Sequence, residues 1–133
     1  MIDYNELLKK AKEVSDYSYS PYSKFPVGAA LLTDENKVFT GTNVENSSYG
    51  LCLCAERIAV GQAVSSGFKN FKAIAIIGQK AKPCNPCGAC LQVLSEFGPE
   101  MELILEDKEG QPIVKTLRDF LPNMFTPDSL QGN

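Results

Sequence analysis

The chain contains no histidine and no tryptophan among its 133 residues. Without imidazoles, metal binding and acid–base chemistry fall to carboxylates, thiols, amines and phenols. Positive charge is also scarce, because 13 Lys and Arg residues are outnumbered by 16 Asp and Glu residues and the net charge is −3. Since nucleic-acid affinity depends largely on an excess of Lys and Arg, we expect no nucleic-acid partner.

Long apolar runs are absent as well. No stretch approaches the roughly 18 apolar residues of a membrane helix, and the chain begins MIDYNELL, which lacks the apolar run of a signal peptide. We therefore expect a soluble, cytoplasmic protein with no membrane partner. The composition is 44% hydrophobic and 22% charged, which is typical of a globular domain.

Helical and strand-like patterns alternate along the chain after a first helix and a hairpin. Predicted helices cover 4–17, 54–66, about 90–97 and 117–121, and predicted strands cover 27–33, 37–42, 72–78 and 101–105, with a short strand after the turn at 107–110. Alternation implies crossover connections and helices packed over one sheet. The sequence predicts an α/β fold in a single domain over 1–126, followed by a mobile polar tail over 127–133.

The cysteines have the most unusual distribution. All five lie in one stretch, at Cys52, Cys54, Cys84, Cys87 and Cys90. An odd, clustered number makes a poor disulfide framework, and in a reducing compartment such clusters are more often metal ligands or reactive thiols.

Two cysteine groups lie where a loop enters a predicted helix. The positive end of a helix stabilises thiolates, the form that binds metal, and the CGAC spacing of Cys87 and Cys90 lets both sulfurs reach one ion. With Cys54 as a third ligand, zinc keeps one tetrahedral position open, as in catalytic sites. Glu56, two residues after Cys54, is then placed to take a proton from water and pass it to a leaving amine.

A structural interpretation competes with this one. Cys52 or Cys84 could complete a closed four-cysteine zinc site, and Glu56 could be an ordinary acidic residue in the first turn of a helix. Two observations favour the catalytic interpretation. The chain changes direction at the loop-to-helix junction, which should carry Cys52 away from the ion, and the four-cysteine site leaves the position of Glu56 unexplained.

At these residues the chain resembles the small, homotetrameric zinc-dependent cytidine deaminases. The similarity runs from about residue 3 to 126 and includes the C-terminal Leu121, Pro122 and Phe125. Its principal segments are SPYSKFPVGAAL at 20–31, GTNVEN at 41–46, CAER at 54–57 and PCGACLQV at 86–93. The resemblance implies a three-layer α-β-α fold with a central mixed five-stranded sheet, one zinc ion per chain and a homotetramer with shared active sites.

The resemblance also implies a substrate and roles for single residues. The reaction would be hydrolytic deamination of cytidine and deoxycytidine to uridine and deoxyuridine plus ammonia, in pyrimidine salvage. Another aminopyrimidine compound or a polynucleotide are the alternative substrates. The residues implied in binding are Asn43 and Glu45 on the ribose hydroxyls, Phe25 on the pyrimidine, the Ala55 N–H on the base carbonyl, and Phe125 in a neighbouring subunit's site.

One position departs from the family pattern. Arg57 follows the first motif and can compensate the charge of the thiolates by a hydrogen bond to a ligand sulfur. The residue after the second cysteine of CGAC is usually arginine in the family, and here it is Leu91. The resemblance therefore implies that one of two charge compensators is missing and that water in the site is less acidic than in relatives with both arginines.

The two zinc interpretations differ in their requirement for Cys52. If three cysteines hold the ion, the Cys52→Ala variant keeps one zinc per chain, which atomic absorption on purified protein measures. Loss of the metal from this variant would favour the four-cysteine site.

Overall fold

The computed structural model describes residues 1–131, and its centre is a five-stranded sheet in the order β2-β1-β3-β4-β5. Neighbouring strands are antiparallel except for β3 and β4, which are parallel, so the predicted mixed sheet is confirmed. The strands are β1 Val27–Thr33, β2 Val38–Thr42, β3 Phe71–Gly78, β4 Glu102–Glu106 and β5 Pro112–Thr116.

Helices cover both faces of the sheet, which gives the predicted three layers. They are α1 Tyr4–Ser15, α2 Ala55–Ser65, α3 Gly88–Ser95, α4 Leu117–Phe120 and α5 Pro127–Leu130. On one face α1 buries Leu7, Leu8 and Ala11 against the sheet. On the other face α2 and α3 contribute to the larger core, which includes Ala59, Leu94 and the strand residues Leu31, Ile74 and Leu103. Within 1–131, no helix has the length and hydrophobicity needed to cross a membrane.

The strand directions place two loops at the same edge of the sheet. Thr42 pairs with Gly28 and Gly78 pairs with Val27, so β2 and β3 both end beside the start of β1. The loop after β2 runs into α2, and the loop after β3 runs into α3. The topology therefore brings together the two loop-to-helix junctions that carry the cysteines.

The C-terminal part of the chain has more helical structure than a mobile tail implies. Thr126 begins a capping box, Pro127 occupies the first turn, and one helical turn extends to Leu130. Residues 132 and 133 of the predicted tail lie outside the described residues. Mobility of residues 127–131 stays a prediction.

Two glycines allow helices to approach the sheet closely. A Cβ atom added at Gly28 would lie 1.9 Å from the Ala11 carbonyl oxygen in α1. One added at Gly41 would lie 2.5 Å from the Ala59 nitrogen and 2.6 Å from the Ala55 carbonyl oxygen in α2. Because backbone atoms cannot move out of the way cheaply, a side chain at either position pushes a helix off the sheet.

The Gly28→Ala variant tests this packing. We expect it to lower the free energy of unfolding by about 1–3 kcal/mol or more, because α1 must move away from β1. Gly61→Ala is the matched control, since no neighbouring atom of residues 1–131 lies within 4 Å of a Cβ atom there, and this mid-helix change should stabilise the protein by about 0.5–1 kcal/mol. Urea denaturation measures both values, and equal effects from the two variants would contradict the packing argument.

Candidate active site

Three cysteine thiols meet at the two helix starts. Cys54 and Cys87 are the N-cap residues of α2 and α3, and Cys90 lies in the first turn of α3. Their sulfurs all lie within 4.8 Å of one another, and neither N-cap side chain makes a capping hydrogen bond. The loop before α2 is closed by Val44 and Leu53, whose backbones exchange hydrogen bonds of 3.0 and 2.9 Å, so that Cys54 returns to the sheet edge.

The protonation states of the three thiols indicate which kind of ion they can bind. The pKa of Cys54 is lowered to about 7, chiefly by a hydrogen bond from Cys90, with a smaller contribution from the charge of Arg57. The pKa of Cys90 is raised because its proton is held in that bond and because burial disfavours the thiolate. Three thiols this close share their protons unless a cation takes the place of the protons. A set of three sulfur ligands in this geometry suits Zn²⁺.

Glu56 is the buried carboxyl group beside the cluster. Only 5% of the residue is exposed, and it lies in the first turn of α2, two positions after Cys54. Burial raises its pKa, while hydrogen bonds from its own backbone N–H and from Cys90 partly oppose the shift. A carboxyl group whose pKa is moved toward neutrality suits repeated proton transfer.

The other two cysteines lie outside the cluster of three. Cys52 follows the 3₁₀ turn over Tyr49–Leu51, and its sulfur accepts a hydrogen bond of 3.2 Å from the Asn46 N–H. Cys84 packs against the end of β3, where a Cβ atom added at Gly78 would lie 2.8 Å from its sulfur, and burial raises the pKa of its thiol to about 11. The geometry therefore gives three sulfur ligands rather than four.

A cavity of about 360 Å³ opens onto these groups, within the usual range for small-molecule sites. The cluster, Glu56 and the predicted binding residues Phe25, Asn43, Glu45 and Ala55 all line it. Ala55 is fully buried at the first helical position, where its N–H has no intrahelical carbonyl to bond. Ser23, Cys84 and Asn85 also line the cavity. None of them is among the predicted substrate-binding residues, although Ser23 lies inside the SPYSKFPVGAAL segment.

Asn43 joins the strand end to the irregular segment before β1. Its amide oxygen accepts hydrogen bonds from the Val27 N–H at 3.0 Å and the Ser18 hydroxyl at 2.6 Å. Its amide nitrogen donates to the Phe25 carbonyl at 2.9 Å. Asn43 is therefore a structural residue as well as part of the cavity wall, and its amide orientation is fixed by the backbone.

Glu45 is held by a turn of the same segment. One carboxylate oxygen accepts from the Tyr22 N–H at 3.0 Å and the Ser23 N–H at 3.1 Å, and the other accepts from the Ser23 hydroxyl. The hydrogen bond from the Ser23 side chain is the main cause of a lowered pKa at Glu45. Glu45 is thus a fixed anion at the cavity wall, a distinct environment from that of Glu56.

Two predicted residues lie away from the cavity. Arg57 is exposed and lines a separate groove with Thr40 and Gln62. Its charge lowers the pKa of Cys54, whereas the expected hydrogen bond from its side chain to a ligand sulfur does not form within residues 1–131. Phe125 is 55% exposed, and its carbonyl oxygen accepts a hydrogen bond of 2.8 Å from the Gln92 side chain on α3.

Leu91 belongs to the core rather than to the site. Only 5% of it is exposed, and it packs in the larger core cluster beneath α3. The residue that departs from the family pattern therefore contributes apolar packing where the resemblance predicts a charge.

The sequence matches a known protein family. Residues 1–105 match the family described as the cytidine and deoxycytidylate deaminase zinc-binding region. The cytidine deaminase of Sporosarcina psychrophila is 41% identical over 130 residues, covering 97% of this chain and 96% of that protein. The cytidine deaminase of Mycobacterium tuberculosis is 43% identical over 129 residues, covering 97% of this chain and 94% of that protein.

Solved structures agree with the sequence comparisons. The crystal structure of cytidine deaminase from Burkholderia pseudomallei aligns with a TM-score of 0.87 at 46% identity, over 93% of this chain and 100% of that one. The structure of cytidine deaminase from Mycobacterium tuberculosis gives a TM-score of 0.83 at 41% identity, over 94% and 98%. These alignments bear out the predicted α/β fold.

The Leu91→Arg variant separates charge from packing at the helix start. We expect the acidic limb of the pH–rate profile to move to lower pH, because a guanidinium near the thiolates favours ionisation of water in the site. We also expect the free energy of unfolding to fall by about 1–3 kcal/mol, because a charged group replaces buried apolar contacts.

The control for this variant is Leu91→Met, which nearly conserves volume and adds no charge. It should cost less than about 1.5 kcal/mol and leave the profile in place. An unmoved acidic limb in folded Leu91→Arg would show that position 91 does not control the acidity of the site.

Proposed function

Because the chain belongs to the cytidine and deoxycytidylate deaminase family, we propose that it hydrolyses cytidine and deoxycytidine to uridine and deoxyuridine, releasing ammonia. The observation that carries the proposal is the buried carboxyl group of Glu56 beside three thiols, at the wall of a cavity of about 360 Å³. A hydrolytic deamination needs this combination, since one group must activate water and also protonate the amine that leaves.

Cys54, Cys87 and Cys90 would hold one zinc ion per chain, and the donor set fits that ion. When bound, zinc would supply Lewis acidity that lowers the pKa of water to near neutrality. Arg57 tunes this acidity through its positive charge near Cys54.

Glu56 carries the protons in the proposed reaction. Its carboxylate takes one proton from the attacking water and delivers it to N3 of the cytosine ring, while the water oxygen bonds to C4. It then takes the second proton from the new C4 hydroxyl and gives it to the amino group, which leaves as ammonia while the C4 carbonyl forms. The sum is one water consumed and one ammonia released, and Glu56 returns to its starting state.

The remaining cavity residues would hold the nucleoside. Phe25 and Ala55 both line the cavity. The ring of Phe25 would pack on the pyrimidine, and the Ala55 N–H at the start of α2 would donate to the base carbonyl. Asn43 and Glu45 present an amide and a carboxylate for the sugar hydroxyls. The net charge of −3 supports a free nucleoside rather than a polynucleotide, whose phosphates require compensating Lys and Arg.

We further propose a homotetramer in which Phe125 completes a neighbouring subunit's site. The support is that Phe125 is an exposed residue and is not part of the wall of its own chain's cavity, in so far as the structure describes the chain. Exposed apolar side chains at Tyr19, Tyr49 and Leu51 offer further surface for subunit contacts.

The five free thiols suit a reducing compartment, so we propose a cytoplasmic role in pyrimidine salvage.

Glu56→Ala tests the proposed reaction. With zinc retained at one ion per chain, we expect kcat for cytidine to fall by at least ~10²–10⁴-fold, the usual contribution of a general acid–base group. The loss of cytidine absorbance on adding metal-replete protein measures the rate, and atomic absorption measures the zinc. Glu56→Gln is the control for shape, because it keeps the size of the side chain and should be equally inactive. Near-normal activity with intact zinc in either variant would refute the mechanism.

A further inference from the structure

The Ser23 hydroxyl occupies a fixed place between two parts of the cavity wall. It accepts a hydrogen bond of 3.1 Å from the Phe25 N–H and donates to the carboxylate of Glu45. Because the Phe25 N–H can only donate, the hydroxyl proton is directed to Glu45. Ser23 therefore links the backbone of the residue that would pack on the base to the carboxylate that would bind the sugar.

The turn that carries Ser23 is itself held in an uncommon backbone conformation. Lys24 has a φ of 55°, in the left-handed region that few non-glycine residues adopt. This turn directs the Tyr22 and Ser23 N–H groups to one carboxylate oxygen of Glu45, while the Ser23 hydroxyl reaches the other. Such local strain persists where surrounding bonds over-determine the conformation, as at binding sites.

The hydrogen-bonding capacity that remains at this wall is small and specific. The oxygen of Glu45 that takes two N–H bonds is saturated, and the oxygen that takes the Ser23 hydroxyl has one acceptor position left. The amide oxygen of Asn43 also has two donors, and its nitrogen has one of two hydrogens left after the bond to Phe25. Within residues 1–131 one acceptor and one donor therefore remain, a pair that matches the donor and the acceptor of a hydroxyl group.

The two members of this pair differ in how they are held. The amide of Asn43 is oriented by backbone groups of Val27 and Phe25, so its presentation does not depend on one side chain. The oxygen of Glu45 that keeps an open acceptor position is fixed by the Ser23 hydroxyl, within the described residues. A lowered pKa at Glu45, caused first by this hydrogen bond, agrees with a carboxylate held as an anion.

We propose that Ser23 is a positioning residue for substrate binding, which holds the Glu45 carboxylate so that it accepts a hydrogen bond from a sugar hydroxyl of the nucleoside. Ser23 acts through Glu45 and takes no part in the chemistry at the base. The inference rests on the proposed function, since it specifies how that site recognises the sugar.

The test compares two substrates on the zinc-loaded full chain. Cytidine carries the sugar hydroxyls, and 2′,3′-dideoxycytidine lacks the two on the ring. For Ser23→Ala we expect KM for cytidine to rise about tenfold with kcat within about twofold, the effect of losing binding that is equal in ground and transition states. For dideoxycytidine, kcat/KM should change less than about twofold, because the hydroxyl that Ser23 serves is missing.

Two further variants distinguish positioning from a general loss of structure. Ser23→Thr keeps the hydroxyl and should restore KM to within about threefold of the parent value. Ser23→Cys keeps a similar shape with a weakly donating thiol, so it should behave like Ser23→Ala. Ser23 is exposed, so all three variants should keep the zinc content and urea midpoint of the parent.

The outcomes separate this inference from the proposed function. An equal loss on both substrates, or a loss confined to kcat, would overturn the role of Ser23 while leaving cytidine deamination intact. Failure of the Thr variant to restore KM would also overturn it. If the zinc-loaded parent protein deaminates neither substrate, the proposed function itself fails.

Discussion

The meeting of three thiols at one point constrains the rest of this structure. Cys54 comes from one helix start, and Cys87 and Cys90 come from another, so two loops must reach the same edge of the sheet. The sheet meets this requirement by running β2 and β3 in the same direction on either side of β1. The close approach at Gly41 then places the first turns of α2 directly against β2, which leaves little freedom in the position of Glu56.

Local properties of the chain explain which parts of the molecule the sequence predicts well. The apolar runs of β1 and β3 are buried almost throughout, so their composition alone marks them as central strands. The metal ligands are predictable for a similar reason, because cysteine spacing and loop-to-helix junctions are local properties of the chain. Boundaries are less certain, as α3 shows: it begins at Gly88, since Cys87 caps it, whereas the sequence pattern places the start near residue 90.

The substrate side of the site is harder to predict from sequence because it depends on contacts between distant residues. Nothing local to Asn43 indicates that Val27 and Ser18 would occupy its oxygen, and nothing local to Glu45 indicates the three hydrogen bonds from Tyr22 and Ser23. Arg57 and Leu91 show the same limit. Each follows a motif residue directly, yet one points to an outer groove and the other packs in the core, because a helix turns by about 100° per residue.

Charge balance determines how the two carboxylates can divide their roles. Three ionised thiols more than neutralise one zinc ion, so the ion is a weaker acid than one with a neutral ligand. Burial raises the pKa of Glu56 and so makes its carboxylate a stronger base. The stronger basicity of Glu56 therefore partly offsets the weaker Lewis acidity of the ion. Glu45 lies among N–H and O–H donors and keeps its charge, so one carboxyl group can exchange protons while the other stays an anion, as its proposed role in binding the sugar requires.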